Sequence, residues 1–272
     1  MNRNPFSIFS TSLPSVVIII SSEINYSNTS HLVNPDLILT SLSPRLVEEV
    51  AGPLAIAGVT VNFRLVEVDN TLKTPGPVFN AMLREAYISG ADYYYRLNDD
   101  TELLVDSESL SLETKGKEEG GRRILDPNVK QWAKAYIEGL LSMGAPYGVI
   151  GPASTVGLKR ILTHDFVHRM HMDITGGIYY DPLFTDWWMD DYISFLYGSR
   201  TKMSSQFAVE HHVDHHGTKR YTVGIDKSKL VPGRVAETRR AIANFMVDKL
   251  GMTKAKGDEL INDRQGPPYG DV

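Results

Sequence analysis

Asn98, Asp99 and Asp100 end an aromatic, strand-like run, Tyr93-Tyr94-Tyr95-Arg96-Leu97. Bulky residues that stop at adjacent acids read as a buried strand delivering oxygen ligands at its C-terminal end. In open α/β sheets that end is where ligands bind. Hard cations such as Mg²⁺ take carboxylate oxygens together with substrate phosphates. The segment therefore offers a metal-bridged phosphate site. Asn-Asp-Asp is also good turn chemistry, so a solvated acidic turn is the alternative.

A second acidic pair, Asp190-Asp191, follows Trp187-Trp188. A helix dipole favours carboxylates near an N-terminus. That dipole lowers a carboxyl pKa, and apolar walls raise it. The indoles supply flat surface on which a sugar stacks, and a carboxylate beside it can act as general base toward a hydroxyl. The plainer alternative is a helix cap with core tryptophans. A third cluster is His211-His212-Val213-Asp214-His215-His216. Alternation would put His211 and Val213 on one strand face and His212 and Asp214 on the other. One imidazole joining Asp100 at a metal is sound chemistry. The cluster could also take Zn²⁺ by itself, or be a surface turn. Lys219 and Arg220 lie just beyond, where paired cations suit a diphosphate or a solvated basic turn.

The elements that must position these groups alternate. Val16–Ser22 reads as a buried first strand, Pro44–Val50 as a short helix and Val59–Val68 as a second strand. Pro75 and Pro77 open a helix that Gly90 ends, and the acidic strand follows. Strand–helix alternation of this kind predicts a mainly parallel sheet. Residues 106–124 are polar and glycine-punctuated and read as a mobile loop. Pro127–Met143 is an amphipathic helix and Tyr147–Pro152 a buried strand. Asp186–Gly198 reads as a helix opened by an Asp cap, Phe207–Val209 as a short strand, and Arg234–Leu250 as a final helix. The tail, 263–272, reads as poorly ordered.

With 272 residues, 42% hydrophobic and 22% charged, the chain has the composition of an ordinary globular protein. A net charge of −5 argues against a general nucleic-acid binder. The absence of cysteine excludes disulfides, thiolate metal sites and a cysteine nucleophile. The apolar run at Val16–Ile20 is too short to span a bilayer, and no transmembrane helix is expected.

Three signals in this order, with VIGP, ILTHDFVHRMH, YYDPLFTDWWMDDYI and HGTKRY between and after them, resemble the GT-A glycosyltransferases over residues 15–225. The resemblance is to the soluble branch found in algae and in large DNA viruses of algae. It implies an α/β, Rossmann-like single domain, 1–272, with a central mainly parallel mixed sheet flanked by helices. Residues 15–105 would form the nucleotide-sugar half and 125–250 the acceptor and catalytic half. Asn98-Asp99-Asp100 resembles the DXD motif with Asn in first place. Asp100 would then be the principal metal ligand, completed by His211 or His212, with Asn98 and Asp99 on the ribose or a metal-bound water. Asp191 would be the base of an inverting transfer, and Asp190 would hold the acceptor or the donor sugar. Ser21, Ser22 and Glu23 would cradle base and ribose. Asn80 and Arg96 join the nucleotide-binding set, and Lys219 and Arg220 would face the diphosphate. Trp187, Trp188 and His168 would meet sugar.

The activity so implied moves a sugar from a UDP-sugar to a glycan hydroxyl with Mn²⁺ or Mg²⁺. UDP-xylose is the first donor to try, with UDP-glucose and UDP-galactose next. The setting would be cytoplasmic, that of the host for a viral chain building capsid glycans. Three rivals make different demands. A sugar nucleotidyltransferase would carry a glycine-rich basic loop where this chain has SSEINYSN. A zinc hydrolase would use the histidine cluster with His164 or His168 and need no nucleotide. A carbohydrate-binding protein would use Trp187 and Trp188 without metal.

Overall fold

The computed structural model describes residues 15–22, 60–68, 74–98, 101–105, 132–144, 147–154, 160–211 and 225–263. The expected helix at Pro44–Val50 and the loop at 106–124 lie outside them. The chain divides into two compact units, one ending at Asp92 and the other beginning at Tyr93.

In the first unit, β1 (Ser15–Ser22) and β2 (Thr60–Glu67) pair in parallel, from Ser15↔Thr60 to Ser22↔Glu67. Helix α1 (Pro75–Ile88) packs on both strands. Its two prolines sit in the first turn, where their missing N–H groups cost no helical bond. Val78, Leu83 and Ala86 form its buried stripe. Gly90, at φ 88°, turns the chain out of the helix in the left-handed region. Ala91 N–H then donates back to Ala86 O at 3.1 Å.

The second unit is built on an open, mixed five-stranded sheet. Its strands are β3 (Tyr93–Tyr95), β4 (Thr101–Val105), β5 (Val149–Ser154), β6 (Phe166–His168) and β7 (Thr201–His211). Their order is β3-β6-β5-β7-β4. Only β5 and β7 run parallel; β3/β6, β5/β6 and β4/β7 are antiparallel. The expected parallel majority is therefore absent among the described strands. The register of β5 on β7 jumps from Pro152↔Ser204 to Ala153↔Ala208. Pro152 has no N–H for a central ladder, and a bulge is the usual accommodation. Past the bulge, β7 also pairs with β4, from Val105↔Phe207 to Thr101↔His211. This makes β7 an eleven-residue strand rather than the short Phe207–Val209 segment expected.

Helix α2 (Trp132–Ser142) covers the sheet. Its Tyr136 and Leu140 pack with Ile150, Phe166 and Phe207, ringed by Tyr93, Tyr95 and Trp132. Next come α3 (Met170–Ile174), α4 (Trp188–Leu196), a 3₁₀ turn at Gly198–Arg200, α5 (Val231–Leu250) and α6 (Lys254–Asn262). Helix α4 starts at Trp188 rather than Asp186, with Trp187 in the cap position and no side-chain cap. Its Met189, Tyr192, Ile193 and Leu196 recur at helical spacing and are buried. Tyr192 donates to Thr238 Oγ1 of α5 at 2.9 Å. The expected last helix, α5, is followed by α6. No described helix is long and apolar enough to cross a membrane.

Candidate functional site

The β3–β6 ladder continues one step past both strands. Arg96 N–H donates to Asp165 O at 3.0 Å, so the two side chains arrive together. Arg96 is 2% exposed and Asp165 is fully buried. Arg96 Nε and Nη2 donate to Asp165 Oδ2 at 3.1 and 3.0 Å. Nε also donates to Tyr180 Oη at 2.8 Å. The Tyr179 and Tyr180 hydroxyls each donate to one oxygen of Asp165, at 2.5 Å. Arg96 Nη2 reaches Asp190 Oδ1, in the first turn of α4, at 2.5 Å. Nη1 faces Asn98 Oδ1 at 3.4 Å. One planar guanidinium thus bridges the segment leading to Asn98 and the acidic pair of α4, two regions far apart in sequence.

Burial pushes the Asp190 carboxyl up to about 7. Arg96 pulls against burial, while Asp165 and Asp191 add negative charge that works with it. Burial also lifts half-buried Asp191, to about 6. These acids differ in their surroundings. Asp190 is held by Arg96, whereas Asp191 has no ion-pair partner among the described residues. A carboxylate with a value near 6 is ionised at neutral pH and more basic than an ordinary one, which suits proton abstraction.

His164 precedes Asp165 at a bend in the chain, and its ring meets a different set of partners. Gly151 permits this approach, because a Cβ there would strike the His164 carbonyl. His164 Nε2 accepts from Asn98 N–H at 3.3 Å and lies 3.0 Å from Thr101 Oγ1. Its Nδ1 lies 3.2 Å from Thr163 Oγ1 and 3.3 Å from His211 Nε2. The two imidazoles meet edge to face, with centroids 4.8 Å apart. Burial first, then Arg96 and His211, hold His164 well below the ordinary 6.5. A backbone N–H can only donate, so the neutral ring accepts at Nε2 and carries its proton on Nδ1.

His211 and Asn98 thus flank one imidazole, and Asp99 and Asp100 join Asn98 to Thr101 in the chain. Among the described residues here, the Asn98 amide oxygen and an imidazole are groups that Mn²⁺ or Mg²⁺ could take. Asp99, Asp100, His212, Lys219, Arg220 and Glu23 lie outside the described residues. Among those described, no three potential ligands form a metal group.

Ser21 and Ser22 end β1 opposite Val66 and Glu67, and Asn80 is half-buried in α1, all in the first unit. Trp187 is 57% exposed, whereas Trp188 is half-buried with its N–H 3.4 Å from Asp186 Oδ1. The segment before them is braced. Arg234 donates to Asp181 at 2.6 Å, and Lys227 to Thr185 at 2.8 Å. His168 sits at the other end of β6, against the Tyr93 ring, and its Nδ1 accepts the N–H of Met170 at the start of α3. Arg96, expected on the nucleotide, directs its guanidinium to carboxylates of its own chain. Asp165, Tyr179, Tyr180 and Thr101 were not anticipated. The available signal was an acid directly before the apolar pair Phe166-Val167.

No protein-family model matches this chain, and no curated protein or solved structure matches it.

Proposed function

We propose that this chain is a metal-dependent glycosyltransferase that moves a sugar from a UDP-sugar to a hydroxyl of a glycan acceptor, with inversion. The observation that carries the reading is the 2.5 Å contact between Arg96 Nη2 and Asp190 Oδ1. It ties the segment leading into Asn98 to the second acidic pair, which supports the reading that the two chemistry-bearing stretches of the sequence serve one site. Mixed α/β architecture, with acids gathered beyond a strand end, further supports it.

In this reading the acceptor hydroxyl gives its proton to Asp191. Its oxygen attacks the anomeric carbon, and the bond from that carbon to the diphosphate breaks, UDP leaving with the electron pair. Asp190, fixed by Arg96, accepts hydrogen bonds from a sugar hydroxyl. Trp187 offers an exposed face to acceptor sugar, and Lys219 and Arg220 serve the diphosphate. Asp100 with His211 or His212 would hold Mn²⁺ or Mg²⁺. When bound, that ion acts as a Lewis acid toward the departing diphosphate. A cytoplasmic setting and a role in capsid glycan synthesis belong to the same proposal. UDP-xylose is the donor to test first, before UDP-glucose and UDP-galactose.

Thermal unfolding against UDP and UDP-sugars, with and without Mn²⁺, tests binding. A ligand at 100 times its Kd stabilises by about 2.7 kcal/mol. A shift that needs both nucleotide and metal is expected. A shift with Zn²⁺ or free glycan alone would overturn the reading. Asp191→Asn should keep the nucleotide shift yet lose about 10²- to 10⁴-fold in transfer rate, the usual worth of a general base. Transfer at the wild-type rate would remove Asp191 from that role.

A further inference from the structure

We infer that Asp165 is a positioning residue: fixed by the Tyr179 and Tyr180 hydroxyls, it sets the Arg96 guanidinium in the orientation that holds Asp190 at the start of α4. The Asp165 carboxylate is fully buried and receives four hydrogen bonds, two from the tyrosines and two from Arg96. It touches no part of Asp190 directly in the described contacts. Its influence passes through Arg96, whose Nη2 serves both carboxylates. Tyr180 adds a second constraint, because its hydroxyl accepts from Arg96 Nε while donating to Asp165.

A need for packing alone does not explain this arrangement. Buried ion pairs are often matched or bettered in stability by apolar residues of similar volume. What such a cluster supplies that apolar side chains cannot is a fixed direction for a charge. Here the direction is toward Asp190, whose side chain is 16% exposed while that of Arg96 is 1%. Asp190 is therefore a point at which the buried network approaches solvent, and so a ligand. Among the described residues its charged and titratable neighbours are Arg96 and Tyr180, Asp165 beyond them, and Asp191 on its own helix. The sugar-holding role of Asp190 rests on the transferase reading above. The clamp from Asp165 to Asp190 does not.

The test is carboxyl ¹³C NMR of aspartate-labelled protein, with Asp190→Asn identifying the Asp190 signal, alongside exchange of the Arg96 Nε–H. In Asp165→Asn, Asp190 loses a negative neighbour and shares its guanidinium with no second carboxylate. The Arg96 Nε–H should exchange at least tenfold faster, and the Asp190 midpoint should move from near 7, down by the lost Asp165 charge and up by the loosened guanidinium. An Arg96 exchange rate unchanged in folded Asp165→Asn would overturn the inference whatever the Asp190 midpoint does, because loss of the Asp165 charge moves that midpoint even where Arg96 keeps its orientation. Should that variant not fold, Tyr179→Phe and Tyr180→Phe keep the charges in place. Each should speed Arg96 exchange about tenfold, roughly one lost hydrogen bond; no change in either would sink the proposal. Transfer assays then separate the two claims. Absence of transfer in every variant and in the wild type counts against the glycosyltransferase reading while the NMR result still decides the clamp.

Discussion

His164 holds its neighbours through a neutral ring, whereas Asp165, the next residue, holds its own through charge. The Asp165 side gathers one guanidinium, two carboxylates and two phenols with contacts of 2.5–3.1 Å. The His164 side gathers hydroxyls, a backbone N–H and a second imidazole at 3.0–3.3 Å. Shorter contacts on the charged side are what ionised partners give. The difference teaches that two adjacent residues can serve two needs. A charged cluster fixes orientation and resists change, whereas a neutral polar cluster tolerates adjustment beside a ligand.

Removing the shared cation should break this contrast most severely. Arg96→Met leaves Asp165 and Asp190 buried without their counter-charge, which typically costs about 3–5 kcal/mol. Urea unfolding at pH 8 should show it, with a smaller loss at pH 5, where Asp190 takes up a proton. A loss below about 1 kcal/mol at pH 8 would mean that the cluster relaxes or hydrates freely. His164→Ala should cost less, about 1–3 kcal/mol, through the unpaired Asn98 N–H and Thr101 hydroxyl. It should show little of the pH contrast seen with Arg96→Met.

The two sides also respond oppositely to pH. Asp190 is raised from 3.8 to about 7 by burial. The folded state then binds more protons than the unfolded, so the stability this group contributes is full below about 4 and is lost as pH rises through about 7. His164 is lowered, again chiefly by burial. Its contribution is full above 6.5 and is lost as pH falls below 6.5 toward its depressed folded value. Asp190→Asn should therefore remove a falling component between about pH 4 and 7. His164→Gln should remove a rising component below 6.5. Melting temperatures across pH 4–8, measured on the metal-free protein, read both slopes. Parallel profiles for wild type and Asp190→Asn would show that the Asp190 carboxyl titrates as an exposed acid.

Much of the scaffold was legible because local rules act over a few residues. The apolar run at Val16–Ser22, the prolines and Gly90 around α1, and the 3.6-residue stripes of α2, α4 and α5 each mark an element without distant help. Thr101–Val105 went unread because Leu103, Leu104 and Val105 form too short an apolar run beside the acids. Its identity as a strand comes from pairing with β7. The extra length of β7 likewise depends on partners on both sides, as strand propensity often does.

The candidate site divides in the same way. Sequence alone picked out Asn98, the pair Asp190-Asp191 and His211, because acids and imidazoles beside apolar or aromatic runs are costly to place without purpose. It also determined that no thiol chemistry is available. Only the tertiary structure decided that Arg96 faces two acids of its own chain, that Asp165 and two tyrosines anchor it, and that His168 lies at the far end of its strand. These outcomes depend on β3 and β6 meeting in one register and on α4 presenting Asp190 to the strand end. Such pairings join residues 69 and 94 positions apart. No local propensity or spacing encodes them, since the cost of burying each charge is offset only once its partner has arrived.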